Sequence, residues 1–97
     1  QLNPTYAEAF TNRANAYAAL GRLDEALADF DVALSLDPSR PSVFYNRALV
    51  NERKGDVDAA MRDYTQAIAL DPRYAQAYNN RAALLAQRGQ RDAALRD

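Results

Sequence analysis

The chain has 97 residues, of which 12 are basic and 13 are acidic, and its net charge is −1. Because the two signs balance, the composition predicts neither a nucleic-acid-binding surface nor one that binds anionic membranes. The absence of cysteine and histidine excludes disulfides, a thiolate nucleophile, and the commonest general base and metal ligand. We therefore expect no metal and no cofactor.

The length is that of one domain, and the hydrophobic share of 48% supports a core. Much of that share is alanine, which predicts closely packed helices. No apolar run approaches the roughly 20 residues of a membrane span. The chain starts at Gln1 without methionine, and we interpret it as a segment of a longer protein. The compartment is left open by the composition, with the cytoplasm favoured.

A tripeptide recurs at a fixed interval along the chain. Leu2-Asn3-Pro4, Leu36-Asp37-Pro38 and Leu70-Asp71-Pro72 place their prolines 34 residues apart. Residues 7–40 and 41–74 are identical at 12 of 34 positions, and residues 75–97 continue the same frame. A period of this size predicts a stack of repeated supersecondary units.

Each repeat predicts two helices joined by a short turn. In chain order, an apolar stripe predicts a helix near residues 5–20, which Gly21 ends in a left-handed conformation. A helix near residues 24–36 follows, capped by Asp24 and ended by the Asp37-Pro38 dipeptide. The pattern then repeats with helices near 41–54, 57–70, 74–88 and 91–97, helix-ending glycines at Gly55 and Gly89, and capping acids at Asp58 and Asp92.

Small and large apolar residues alternate in every copy. We expect the alanines to lie where the two helices of a repeat approach closely, and the aromatic side chains to fill the wider gaps between them. The alanines are Ala14, Ala26, Ala33, Ala48, Ala60, Ala67, Ala82 and Ala94, and the aromatic residues are Phe10, Phe30, Phe44, Tyr64 and Tyr78.

These residues resemble a known family. The first copy reads Phe10-x-x-Arg13-Ala14-x-x-Tyr17, followed by Ala26-x-x-x-Phe30 and Pro38, and this is similar to the tetratricopeptide repeat (TPR). The resemblance implies an all-α fold, a right-handed superhelix of antiparallel helix pairs with two full repeats and a partial third. It also implies that the first helix of each pair lines a concave groove holding an extended peptide or a partner's helix.

We interpret residues 1–97 as a single TPR domain. Residues 1–6 are predicted to be the end of a preceding repeat or a linker. The repeats are assigned to residues 7–40, 41–74 and, as a partial copy, 75–97.

An asparagine recurs at one position of each first helix. Asn12, Asn46 and Asn80 are therefore predicted to form a row along the groove, where their amides can both donate and accept hydrogen bonds to a peptide backbone. The alternative is that each asparagine bonds the backbone of a neighbouring helix and fixes the stacking. From the family positions, the predicted peptide-binding residues are Thr11, Asn12, Asn15, Tyr45, Asn46, Leu49, Gln76, Asn79 and Asn80.

One TPR subfamily grips a carboxylate at the end of its peptide with three cations and two asparagines. Asn15 and Asn46 match the two asparagines, whereas Thr11, Gln76 and Asn80 stand at the positions of the cations. The resemblance therefore implies no carboxylate clamp in this chain.

Arginine and aspartate also recur together, 16 residues apart. We expect an ion pair between the two helices of one repeat, because arginine forms bidentate bonds with carboxylates. The alternative is a row of arginines that recognises an acidic partner. The expected pairs are Arg13 with Asp29, Arg47 with Asp63, and Arg81 with Asp97.

Two functions are consistent with this sequence. The first is a protein–protein interaction module that binds an extended peptide or partner segment in the concave groove. The second is a self-association scaffold that uses an exposed terminal helix face and forms a homo-oligomer. Enzymatic activity is not expected, because no serine has a histidine to activate it and no glycine-rich loop could cradle phosphates.

Overall fold

The computed structural model describes residues 4–96, which fold into five α-helices with no strand among them. The helices are α1 (Pro4–Ala19), α2 (Leu23–Leu36), α3 (Pro41–Lys54), α4 (Val57–Leu70) and α5 (Ala75–Arg96). α1 packs on α2 and α3 packs on α4, while α2 contacts α3 and α4 contacts α5. The all-α prediction is confirmed. Of the helices described here, none is both long and apolar enough to cross a membrane.

Glycine ends the first helix of each of the two pairs. Gly21 and Gly55 have φ angles of 78° and 89°, a left-handed conformation that residues with a Cβ atom rarely adopt. In the second pair the Asp56 amide then donates to the Asn51 carbonyl at 2.9 Å, which closes the turn. Both left-handed ends were predicted from the glycine spacing and are confirmed.

The acids predicted as helix caps, Asp24 and Asp58, do not occupy the N-cap positions. The residue that caps α4 is Asp56, whose carboxylate accepts from the Ala59 amide at 3.1 Å, and Arg22 precedes α2 without a capping bond from its side chain. Asp24 and Asp58 lie inside the first turns, because both helices begin one residue earlier than these acids. They still meet the positive end of the helix dipole.

The predicted turn at Gly89 is wrong. α5 continues through this glycine, which has no positive φ. In the first two turns, Leu23 and Val57 pack half-buried against the core, whereas the equivalent residue of the third copy, Arg91, is exposed. A turn at this point would break helical hydrogen bonds, and Arg91 would supply no apolar contact to offset that cost. The helix therefore continues. The helices predicted near 74–88 and 91–97 and the predicted cap Asp92 are, within the described residues, parts of α5.

The core alternates small and large side chains as predicted. Ala26 and Ala60 are fully buried in the same cluster as Phe30 and Tyr64, the two largest fully buried side chains. Small side chains let the helix backbones approach, and the rings fill the remaining space. The buried alanines among those predicted are Ala14, Ala26, Ala33, Ala48, Ala60 and Ala67, whereas Ala82 and Ala94 on α5 are exposed.

One face of α5 is uncovered. Tyr78 is 40% exposed, whereas Phe44, its equivalent on α3, is 9% exposed. The reason is that α3 is covered by α4, while the segment that should cover α5 extends away as part of the same helix. Leu85 and Leu95 are also exposed on α5. The self-association expected through this terminal face stays a prediction.

Two glycine substitutions should have opposite effects on stability. Gly55→Ala is expected to lower the free energy of unfolding by about 1 kcal/mol, because alanine is strained at a φ of 89°. Gly89→Ala is expected to raise it by about 0.5–1 kcal/mol, because Gly89 lies within a helix. Neither new Cβ atom would meet a neighbour within 4 Å. Urea denaturation followed by circular dichroism measures both, and a loss of stability in Gly89→Ala would mean that a turn forms there.

Candidate functional site

A surface cavity of about 340 Å³ opens between α1 and α3. Its apolar floor is formed by Ala18, Leu49 and Val50. Its rim carries Asn15, Asn46, Glu52 and Arg53, and we call these seven residues together the α1–α3 groove. The groove thus combines an apolar surface with amide and charged groups.

Helical spacing brings the groove residues together. Asn15 and Ala18 lie three residues apart on α1, and Asn46, Leu49 and Arg53 follow at intervals of three and four on α3. Residues at these intervals share one face of a helix. Two adjacent first helices therefore present one face each to the cavity.

The two charged residues of the rim have different internal partners. Arg53 Nη1 donates to the carbonyl oxygen of Ala18 at 2.8 Å, in the last turn of α1. Glu52 accepts a hydrogen bond from the hydroxyl of Tyr64, whose ring is fully buried. Burial, together with this bond to Glu52, raises the pKa of Tyr64, so its hydroxyl remains protonated and donates to the carboxylate.

Asn80 belongs to a cluster of tyrosines. Its Nδ2 donates to the hydroxyl oxygens of Tyr45 and Tyr64, each at 3.2 Å. The Tyr45 ring lies 5.1 Å from that of Tyr74 and 5.8 Å from that of Tyr64, measured between centroids. Asn80 therefore links α5 to α3 and α4, as the alternative interpretation of the asparagine row proposed, although its partners are side chains.

The remaining residues predicted to bind peptide are divided between the groove and its surroundings. Asn46 and Leu49 lie in the groove together with Asn15, whereas Asn12 is exposed and does not line it. Thr11 Oγ1 donates to the Ala7 carbonyl at 2.9 Å. The other members outside the groove are Tyr45, which is half-buried, and Gln76 and Asn79, which are exposed on α5.

The arginine and aspartate side chains that recur 16 residues apart are in contact in the first two repeats. Arg13 donates to both carboxylate oxygens of Asp29, at 2.7 and 2.9 Å, and Arg47 to both of Asp63, at 2.9 and 2.7 Å. The bond from Arg13 lowers the pKa of Asp29 below its usual value. In the third copy Arg81 Nη1 lies 3.3 Å from Thr65 Oγ1, and Asp97 lies outside the described residues.

Asp63 is the centre of a larger network. Besides Arg47 it accepts from Asn51 Nδ2 at 3.0 Å, and its own side chain is almost completely buried. Arg47 Nη1 also donates to Asp31 on α2 at 2.8 Å. The network therefore joins α3 and α4 within one pair, and it also joins this pair to the preceding one.

Sequence reasoning missed an ion pair that recurs between adjacent repeats. Lys54 pairs with Asp24, and Arg88 pairs with Asp58, in each case across 30 residues. Both the acids and the bases recur 34 residues apart. This joint recurrence is the signal that could have predicted the pairs. Glu52 was also missed as a groove residue, because the equivalent positions are Ala18 and Ala86 and show no recurring charge.

No cluster of metal-binding side chains was found in the part of the chain that the structure describes. The helix pairs, their 34-residue spacing and the groove between first helices define a helical-repeat protein. A family model described as TPR repeat matches residues 14–55 and 53–89. Because the two matches cover most of the chain, the chain belongs to the TPR family, and the resemblance is confirmed.

Solved structures share this fold. The crystal structure of MamA aligns with a TM-score of 0.86 at 24% identity, over 97% of this chain and 55% of that one. The first TPR of Spaghetti (RPAP3), bound to the HSP90 peptide SRMEEVD, aligns with a TM-score of 0.81 at 29% identity, over 86% and 66%. The second TPR of the same protein, bound to the same peptide, aligns with a TM-score of 0.85 at 25% identity, over 91% and 82%.

These alignments confirm the TPR solenoid as the fold. The chain spans little more than half the length of the MamA chain, 55% of it. No curated protein sequence matches the chain.

Proposed function

We propose that this chain is a protein–protein interaction module that binds an extended peptide in the α1–α3 groove. The observation that carries the proposal is the placement of the Asn15 and Asn46 amides on the rim of one apolar cavity. Both TPR domains of RPAP3, at 29% and 25% identity, are bound to a peptide in their structures, and this supports the class of function.

The chemistry of the groove suits a peptide in an extended conformation. Each asparagine amide can donate to a peptide carbonyl and accept from a peptide N–H, and this recognition does not depend on the peptide's sequence. The floor of Ala18, Leu49 and Val50 can cover one side chain of the peptide. Because one small cavity offers little contact area, we expect a dissociation constant in the micromolar range.

We propose that the chain catalyses no reaction. It has no histidine and no cysteine, so a nucleophile could not be activated in the usual ways. The buried carboxylates Asp29 and Asp63 are bonded to arginine, which leaves them suited to a structural role. We propose that role for the two arginine–aspartate pairs.

A peptide-display selection tests the proposal. The chain is immobilised and probed with a displayed library of random, unstructured peptides. Replacing both Asn15 and Asn46 by alanine is expected to weaken the selected peptides at least about tenfold, because side-chain hydrogen bonds of about 1 kcal/mol each are lost. Fluorescence anisotropy with the synthesised peptides measures the change.

A matched control keeps the test specific. Asn12→Ala combined with Asn79→Ala removes two amides that are exposed and do not line the groove, so affinity should be unchanged. Circular dichroism should show equal helicity in both double variants. Failure to select any peptide, or an equal loss of affinity in both variants, would contradict the proposal.

A further inference from the structure

We infer that the α1–α3 groove selects peptides that place a lysine or arginine side chain against Glu52. This inference rests on the proposed function and adds the chemical class of the ligand. It also assigns this chain a preference opposite in charge to the acidic peptide SRMEEVD held by the RPAP3 domains.

Glu52 is positioned for this role by the fold. Glu52 lines the cavity and is half-buried near the end of α3. The hydroxyl of Tyr64 donates to it, and the Tyr64 ring is fully buried, so this bond fixes the carboxylate relative to the core. A carboxylate has several acceptor positions, and the ones that Tyr64 does not use are available to a ligand's ammonium or guanidinium group.

The nearby cation, Arg53, does not form an ion pair with Glu52. Arg53 also lines the cavity, but its Nη1 donates to the Ala18 carbonyl at 2.8 Å. That carbonyl belongs to the negative end of the α1 dipole, which therefore already attracts this guanidinium. Over residues 6–95, no ion pair engages Glu52. Glu52 is thus the one anionic side chain of the groove, and within that range it has no cationic partner.

The positions that would attract an acidic ligand are neutral. Thr11 donates to the Ala7 carbonyl, and Gln76 is exposed on α5. Asn80 donates to two tyrosine hydroxyls and thus already has protein partners. An acidic peptide would therefore meet Glu52 without a compensating cation at any of these three positions, and like charges at close range repel.

The floor of the cavity suits a long basic side chain. Lysine and arginine have aliphatic stems that pack on apolar surface while the charged end reaches a polar partner. Ala18, Leu49 and Val50 would cover the stem, and Glu52 would bind the charged end. Asn15 and Asn46 would remain for the peptide backbone.

The same display selection, followed by charge exchange, tests the inference. Selected peptides should share a lysine or arginine at one position. In synthetic copies, replacing that residue by glutamate should weaken binding to the wild type at least about tenfold, since a charge-assisted hydrogen bond is replaced by repulsion. Glu52→Lys should restore binding of the glutamate peptide in part. Glu52→Gln, which can still accept from Tyr64, should lower affinity for the basic peptide about five- to tenfold.

The control is Glu25→Gln on α2, which removes the same charge. The Glu25 carboxylate is exposed and pairs with Arg22, so this variant should leave affinity unchanged. Peptides that depend on Asn15 and Asn46 but show no basic preference would overturn the inference and leave the proposed function standing. A groove that retains no peptide at all would overturn both.

Discussion

Replacing Asp63 by alanine is expected to destabilise the folded chain by about 3 kcal/mol. The Asp63 side chain is 5% exposed, and it accepts two bonds from Arg47 and one from Asn51. Removing it leaves the Arg47 guanidinium, itself only 24% exposed, without its main partner, and leaves the buried Asn51 amide unsatisfied. Breaking a buried pair from one side costs about 3–5 kcal/mol, and the partial exposure of Arg47 places the expected value at the lower end.

Urea denaturation followed by circular dichroism measures this effect. Asp31→Ala is the matched control, because Asp31 bonds the same arginine from an exposed position on α2. An exposed ion pair contributes at most about 1 kcal/mol, so this variant should remain close to the wild type. Equal losses in the two variants would contradict a structural role for the Arg47–Asp63 pair.

Replacing Phe30 by alanine is expected to cost about 3–5 kcal/mol. Phe30 on α2 is completely buried in the same cluster as Ala14, Ala26 and Ala48. Truncation removes the apolar contacts of the ring and leaves a cavity that backbones already held close by alanine cannot collapse to fill. The midpoint of chemical denaturation should fall accordingly.

Tyr78→Ala is a suitable comparison for this truncation. Its ring is 40% exposed on α5, so we expect a loss of roughly 1 kcal/mol or less. A loss as large as that of Phe30→Ala would show that Tyr78 is covered in solution. It would therefore indicate that another helix, from the same chain or from a second copy, packs on the α5 face.

The repeat pattern predicted most of the fold because it combines several local signals. The glycines mark the ends of the first helices and the prolines mark the ends of the second, both with the 34-residue period, and the structure places helices α1 to α4 within one residue of the expected bounds. The third copy shows the limit of this reasoning. It has the glycine of the other two, but Arg91 replaces the apolar residue that holds the turn against the core, and α5 continues through the glycine.

The candidate site was less predictable than the fold. Equivalent positions were expected to behave equivalently, so Asn12, Asn46 and Asn80 were interpreted as one row. The structure gives them different surroundings. Asn46 lines the groove, Asn12 is exposed and Asn80 donates to two tyrosines. The reason is that the tyrosines occur in only one copy, at Tyr45 and Tyr64.

By itself, the sequence determined the fold class, the period and the alternation of small and large residues, because short-range helix geometry and side-chain size are encoded locally. It also indicated which arginine and aspartate side chains meet in the first two copies, since the 16-residue spacing recurs. Only the tertiary structure decided which polar side chains remain available to a ligand. Hydrogen bonds to residues distant in the chain, such as the one from Tyr64 to Glu52, depend on how the helices pack against one another.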